Sequence, residues 1–251
     1  MAGLYGFGPF FFRASVIYSS AVFATPQDWL LLHTGSRPAA ENMAMDEALL
    51  EAALQSGKPV LRFYGWTEPA ATFGYFQNYA AVARMTRLRP LVRRPTGGGL
   101  VPHDGDWTYS LIFPPTDPWY GLKAVKSYER VHAWIQSSFA QAGVATELCA
   151  GAFGKTPGQC FAGAEPFDLL WQARKIAGAA QRRNRHGLLV QGSIQPPPGV
   201  AKVDWQKAFC DTACRQWGVN WAPLEAGPVV EGRASDLAQQ KFSQPSYNER
   251  R

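Results

Sequence analysis

Two features of this chain could do chemistry before any fold is considered. The first is the run Gly97, Gly98, Gly99 in "RRPTGGGLVPHD", with two arginines ahead of it and a His-Asp pair behind. Consecutive glycines can take positive φ and let a ligand approach backbone N–H groups with no Cβ in the way, which is what cradling a phosphate or an acyl chain requires. The spacing fits neither the P-loop nor the dinucleotide fingerprint. As a bare pattern the run is equally a hairpin turn. The second feature is Lys175, set among apolar and small residues in "LLWQARKIAGAA". A partly desolvated ammonium there would be strongly felt by a developing oxyanion. A lysine snorkelling from a strand end is the plainer alternative.

Composition bounds what these residues can serve. With 251 residues, 46% hydrophobic and 18% charged, the chain suits one large globular domain, or one domain with a small appendage. The net charge of +6 favours an anionic partner: nucleic acid, an acidic carrier protein or a phosphorylated small molecule. Nineteen prolines and 24 glycines with no repeat period indicate many turns rather than a fibre or solenoid. The four cysteines, Cys149, Cys160, Cys210 and Cys214, are too few for a disulfide framework, so free thiols in a reducing, cytoplasmic setting are expected. Cys210 and Cys214 fall on one helix face, but no second Cys or His pair stands at ligand spacing, so no metal site is expected. The apolar N-terminal stretch lacks a basic leading region and is interrupted by Arg13. It reads as an extension, residues 1–27, ahead of a domain spanning 28–225, and no segment is suited to span a membrane.

The elements that must position the two features follow from periodicity. "NMAMDEALLEAALQSG" (42–57) repeats as a helix stopped by Gly57. "PVLRFYGW" (59–66) and "ATFGYFQ" (71–77) read as strands, with a helix near 80–87 and a further strand in "PLVRRP". "DWTYSLIFP" alternates, placing Trp107, Tyr109, Leu111 and Phe113 on one side of a half-buried antiparallel strand. "KSYERVHAWIQSSFAQAG" (126–143) is a second helix, and "KIAGAAQRR" with "HGLLVQGSI" forms a hairpin with a basic tip at 182–185. A helix in "VDWQKAFCDTACRQWG" precedes a polar, weakly patterned tail, 226–251, expected to be loosely ordered. The sum is an α+β fold, a mixed and largely antiparallel sheet flanked by helices.

"RRPTGGGLVPHD" resembles the R-R-x-T-G-G-G-x-V-x-H-D signature of the lipoate–protein ligase and octanoyltransferase superfamily, whose catalytic domain is shared with biotin–protein ligases. The resemblance extends in order through "NMAMDEALL", "RFYGW", "FGYFQ" and "KIAGAAQRR", covering about residues 28–195. It implies that the glycine turn and its flanking strand line an acyl pocket and that Lys175 polarises the acyl carbonyl. It further implies Cys160 as a nucleophile, because "CF" ahead of the lysine motif is similar to the cysteine-dependent octanoyltransferases. A thiolate attacks a carrier thioester and leaves an intermediate still reactive toward an amine. Tyr75, Arg93, Arg94, Thr96, Gly97, Gly98, Gly99, His103, Gly178 and Ala179 are the implied substrate-binding residues.

The implied partners are an acyl carrier protein and apo lipoyl domains such as the glycine cleavage H protein or 2-oxoacid dehydrogenase E2. No cofactor is implied for the transferase. An ATP- and Mg-dependent lipoate–protein ligase is the alternative; ligases usually carry an Asn-Asp pair near "PFDL", where this chain has Phe167-Asp168. The short stretch after Gly192 also leaves little for the additional domain of many ligases. The His-Gly that commonly follows the lysine motif is here Gln191-Gly192, and glutamine cannot act as acid or base. The basic loop Arg182, Arg183, Arg185, together with Arg93 and Arg94, is expected to meet the acidic acyl carrier protein or the acidic lipoyl domain rather than nucleic acid, since no nucleic-acid module is readable.

Overall fold

The computed structural model describes residues 27–154, 158 and 160–250. The reading of the N-terminal stretch as an extension falls almost wholly outside them. The first described element is β1 (Gln27–Arg37), followed by α1 (Ala39–Ser56), β2 (Val60–Trp66), β3 (Ala70–Phe73), α2 (Tyr79–Met85), β4 (Leu91–Arg93) and β5 (Val101–His103). Next come β6 (Trp107–Phe113), α3 (Ala124–Gln141), β7 (Glu147–Leu148), β8 (Leu169–Trp171), β9 (Arg174–Asn184) and β10 (Gly187–Ile194). The chain continues through α4 (Lys202–Trp217), β11 (Val219–Pro223), α5 (Pro228–Leu237), a π-helical turn (Ala238–Phe242) and α6 (Pro245–Asn248).

Eight strands form one sheet in the order β11-β1-β2-β6-β10-β9-β8-β7, parallel at the β11-β1-β2 edge and antiparallel elsewhere. The expected α+β architecture is therefore present. One face carries Leu61, Phe63, Trp107, Tyr109, Leu111, Phe113, Leu188 and Val190, packed against Trp134, Ile135 and Phe139 of α3 and Trp205 and Phe209 of α4. The alternate residues Arg62, Tyr64, Thr108, Ser110, Gln191 and Ser193 point the other way. That second face is covered toward one end by α1, against whose outer side α5 packs. Toward the other lies a small sheet, β4-β3-β5, whose β4 and β5 are joined by the glycine run. β6 is thus buried along its whole length rather than on one side, because polar residues on its second face lie under the helices and the small sheet.

The expectation of a loose tail is corrected. Residues 228–248 are helical and packed on α1 and β4, with Ala234, Leu237, Ala238, Phe242 and Tyr247 buried. Asn248, also buried, adds a polar anchor to these apolar contacts. Its Oδ1 accepts from the Arg93 amide at 2.8 Å, while the Arg93 guanidinium donates to Tyr247 O and Asn248 O.

Candidate active site

The site lies where the glycine run meets β9. Arg94 is buried and ties the run into shape, its Nη2 donating at 2.8 Å to both Gly97 O and Gly99 O. Gly98 between them has φ of +85°, a conformation that a side chain would strain. The fold leaves the Gly99 amide free to donate to Cys160 Sγ at 2.9 Å. Backbone pairing of Leu100 with Gly158 and Cys160 fixes the cysteine there. A Cβ on Gly98 would sit 3.5 Å from the same sulfur. Burial holds the Arg94 guanidinium below its ordinary value, and the neighbouring Cys160 opposes that shift.

Lys175 reaches the same place through an irregularity in β9. Lys175 and Gly178 are three apart, which in a regular strand would send them to opposite faces. β9 carries one extra residue here: Leu170 pairs with Lys175 but Leu169 pairs with Ala177. Ile176 and Ala177 both enter the apolar core, and Lys175 joins Gly178 on the site face. The Lys175 ammonium then lies across Gly178, ion-paired to Asp168 at 2.6 Å. Asp168 Oδ2 also accepts from the Glu165 amide at 2.7 Å. Burial raises the Asp168 carboxyl, with Lys175 and the Glu165 amide opposing.

Cys160 and Lys175 stand between two cavities and line both. On one side is a narrow slot of about 50 Å³, walled by Met43, Trp66, Val101, Phe161 and Ala179 among others. On the other is a wider cavity of about 430 Å³, bordered by Gly98, Gly99, Tyr128, His132, Glu165 and Asp168. His103 stands at the slot wall, stacked on Trp66 with ring centroids 3.7 Å apart. The Asp106 carboxylate can only accept, so Nδ1 carries the proton and donates to it at 2.9 Å. Nε2 of the neutral ring accepts from the Thr72 hydroxyl at 2.7 Å, which in turn accepts from Arg94 at 3.0 Å. Burial pushes the imidazole below its ordinary value, against the pull of Asp106. His103 is thus a neutral wall, not a proton donor to the acyl group.

The residues implied by the resemblance divide. Arg94, His103, Cys160, Lys175, Gly178 and Ala179 line the slot, and Gly98 and Gly99 line the wider cavity instead. Arg93, Thr96 and Gly97 border neither. Arg93 is fully buried, with its guanidinium bonded to backbone carbonyls of residues 75, 77, 247 and 248, and serves as a staple. Arg94 is buried too, so the expectation that both join the basic loop at an acidic partner is corrected. Thr96 donates to Gln191 Oε1 at 2.7 Å. Tyr75 borders neither cavity either, and its ring lies 4.4 Å from the Arg250 guanidinium.

The position of the missing histidine is likewise accounted for. Gln191 Nε2 donates at 2.7 Å to Asp46, which also accepts from Arg62 at 2.6 Å, Ser110 at 2.7 Å and Tyr64 at 3.1 Å. Sequence reasoning missed this buried network, although Asn42 and Asp46, four apart on α1, signal a polar stripe facing the sheet. It also missed His132, on α3 beside the wider cavity, which burial and the Lys175 charge drive down to about 3. Among the described residues no group of three or more potential metal ligands occurs, and Cys210 and Cys214 lie on α4 away from the site.

Residues 38–196 match the model of the lipoyl protein ligase A/B catalytic domain. The chain belongs to that family. It is 34% identical over 189 residues to octanoyltransferase LipM of Carboxydothermus hydrogenoformans, covering 73% of this chain and 68% of that one. The corresponding figures for octanoyltransferase LipM of Symbiobacterium thermophilum are 35% identity over 184 residues, 66% and 65%. The chain therefore spans about two thirds of the length of these curated relatives. The fold matches the bi-partite lipoate protein ligase of Thermoplasma acidophilum with a TM-score of 0.69 at 18% identity, over 89% of this chain and 96% of that one. The structure brings the glycine run and Lys175 together at Cys160, with Gly98 and Gly99 on the wider cavity rather than the slot.

Proposed function

We propose that the chain is an octanoyltransferase of lipoate metabolism. The Cys160 thiolate attacks a carrier-bound octanoyl thioester, a new C–S bond forms, and the carrier thiol leaves with the proton that Cys160 gave up. The amine of a lysine on a lipoyl domain then attacks the Cys160 thioester, forming the amide and returning the thiol. Lys175 faces the oxyanion in both steps, and the Gly99 amide steadies the sulfur. The acyl chain occupies the slot, and the carrier arm and the acceptor lysine use the wider cavity in turn. Because the acyl group arrives activated, this reading calls for no cofactor.

The observation that carries the proposal is the placement of Cys160, held by the glycine run and bordering both cavities together with Lys175. The curated relatives named octanoyltransferase support it. The donor in this reading is an acyl carrier protein, and the acceptors are lipoyl domains such as the glycine cleavage H protein or a 2-oxoacid dehydrogenase E2, in the cytoplasm. No helix among the described residues is long and apolar enough to cross a membrane.

The test offers an apo lipoyl domain two donors: octanoyl carrier thioester without ATP, and free octanoate with ATP and Mg. Modification from the thioester alone is the expected result. Modification only from the free acid with ATP would replace the transferase with a lipoate–protein ligase.

A further inference from the structure

Beyond the cysteine and lysine, two guanidinium groups gather on the ring of Tyr75, outside the residues that line the two cavities. Ala180 lies at the cavity wall, 3.6 Å from where a Gly98 Cβ would stand. Arg182, two residues farther along β9, projects from the same side about 7 Å away. Its guanidinium lies 5.9 Å from the Tyr75 ring and, among the described residues, makes one long hydrogen bond, 3.5 Å to Pro95 O. Arg250 arrives from the other end of the sequence. The clamp of Tyr247 and Asn248 on Arg93 brings the tail back to β4, and Arg250 then lies 4.4 Å from the Tyr75 ring and 4.7 Å from that of Tyr247. Among the described residues neither arginine pairs with a carboxylate, and nearby Glu47 is taken by Lys241 at 2.6 Å.

Two like charges held against one ring without a counter-ion repel each other, and an anion between them removes that cost. Guanidinium groups match the oxygens of a phosphate in pairs. We infer that Arg182 and Arg250, set on Tyr75, form a binding site for the phosphodiester of the donor's phosphopantetheine arm. The arm is a flexible chain with the thioester at one end and the phosphate at the other. With its thioester at Cys160 the arm leaves through the wider cavity that Ala180 borders, and Arg182 follows Ala180 two positions along the same side of β9. The tail thereby contributes directly to donor recognition. This inference rests on the transferase reading.

The test acylates the full chain with three donors, octanoyl carrier protein, octanoyl phosphopantetheine and octanoyl pantetheine, and measures the octanoyl increment on Cys160 by intact mass against time. The variants are Arg182→Gln, Arg250→Gln and the pair, with melting temperature checked for each. The expected result is an apparent KM raised about tenfold per arginine for the two phosphate-bearing donors and unchanged for octanoyl pantetheine. A loss confined to the carrier protein would assign the arginines to its acidic surface and overturn the phosphate site. An equal loss for all three, or no loss, would overturn it as well. If none of the donors acylates the wild type, the transferase reading fails and the inference falls with it.

Discussion

The Nζ of Lys175 lies 2.6 Å from Oδ2 of Asp168, across the bare Cα of Gly178. A Cβ on Gly178 would stand 2.8 Å from Lys175 Cε and 3.0 Å from Nζ, so the glycine is the floor on which the ion pair rests. Gly178→Ala is expected to lower acyl transfer by about tenfold to a hundredfold by displacing the ammonium, with the melting temperature nearly unchanged. Steady-state transfer to a lipoyl domain, measured beside thermal unfolding, decides it. A normal rate would show that the position of the ammonium is not critical.

Lys175→Met removes the charge and leaves Asp168 buried without its partner. Transfer should fall by at least about a hundredfold and stability by roughly 3 kcal/mol or more. Adding Asp168→Asn should recover most of the stability and none of the activity. Recovery of both would mean that the pair is structural.

Gln191 bridges Asp46 and Thr96 beneath the slot. Gln191→Leu takes one donor from the buried Asp46 carboxylate and the acceptor from the Thr96 hydroxyl, so a loss of about 2 kcal/mol or more is expected in denaturant unfolding. A change below about 0.5 kcal/mol would show that the network is not cooperative with folding.

His132 titrates near 3 when folded, because burial and the Lys175 charge both oppose its protonation, against an ordinary value of 6.5. The unfolded chain binds the proton first, so this residue contributes stability that is full above pH 6.5 and is lost as pH falls toward 3. The slope is up to about 1.4 kcal/mol per pH unit. His103, depressed in the same direction, adds to the slope below 6.5. Urea unfolding from pH 7 to 4 should show stability falling, and His132→Phe should flatten the curve. An unchanged slope in a folded variant would place the pH dependence elsewhere.

What the sequence reveals and what it hides follow from the range of the interactions. The helices of α1, α3 and α4, the β9-β10 hairpin and the β6 alternation are local patterns, and each is present where periodicity places it. The glycine run and Lys175 stand out because their residue types are chemically unusual for their surroundings. The bulge that turns Lys175 onto the face of Gly178 is invisible in "KIAGAAQRR", since it is set by pairing with β8. Arg93 looks identical to Arg94 in sequence, yet one is bonded to the tail about 155 positions away and the other holds the glycine run. The tail's packing is harder to read for the same reason: its apolar stripe of Ala234, Leu237, Ala238 and Phe242 is short and rich in alanine, and Asn248, which accepts from the Arg93 amide, anchors it across the whole sequence.

The central claim is that Cys160 carries the acyl group. The most direct measurement incubates the protein with octanoyl carrier protein in the absence of ATP, quenches in acid and reads the intact mass. One octanoyl increment, removed by hydroxylamine and absent or converted to a hydroxylamine-resistant ester in Cys160→Ser, is the expected result. A Cys160→Ser protein that turns over at the wild-type rate, or an increment located on another residue, would contradict it.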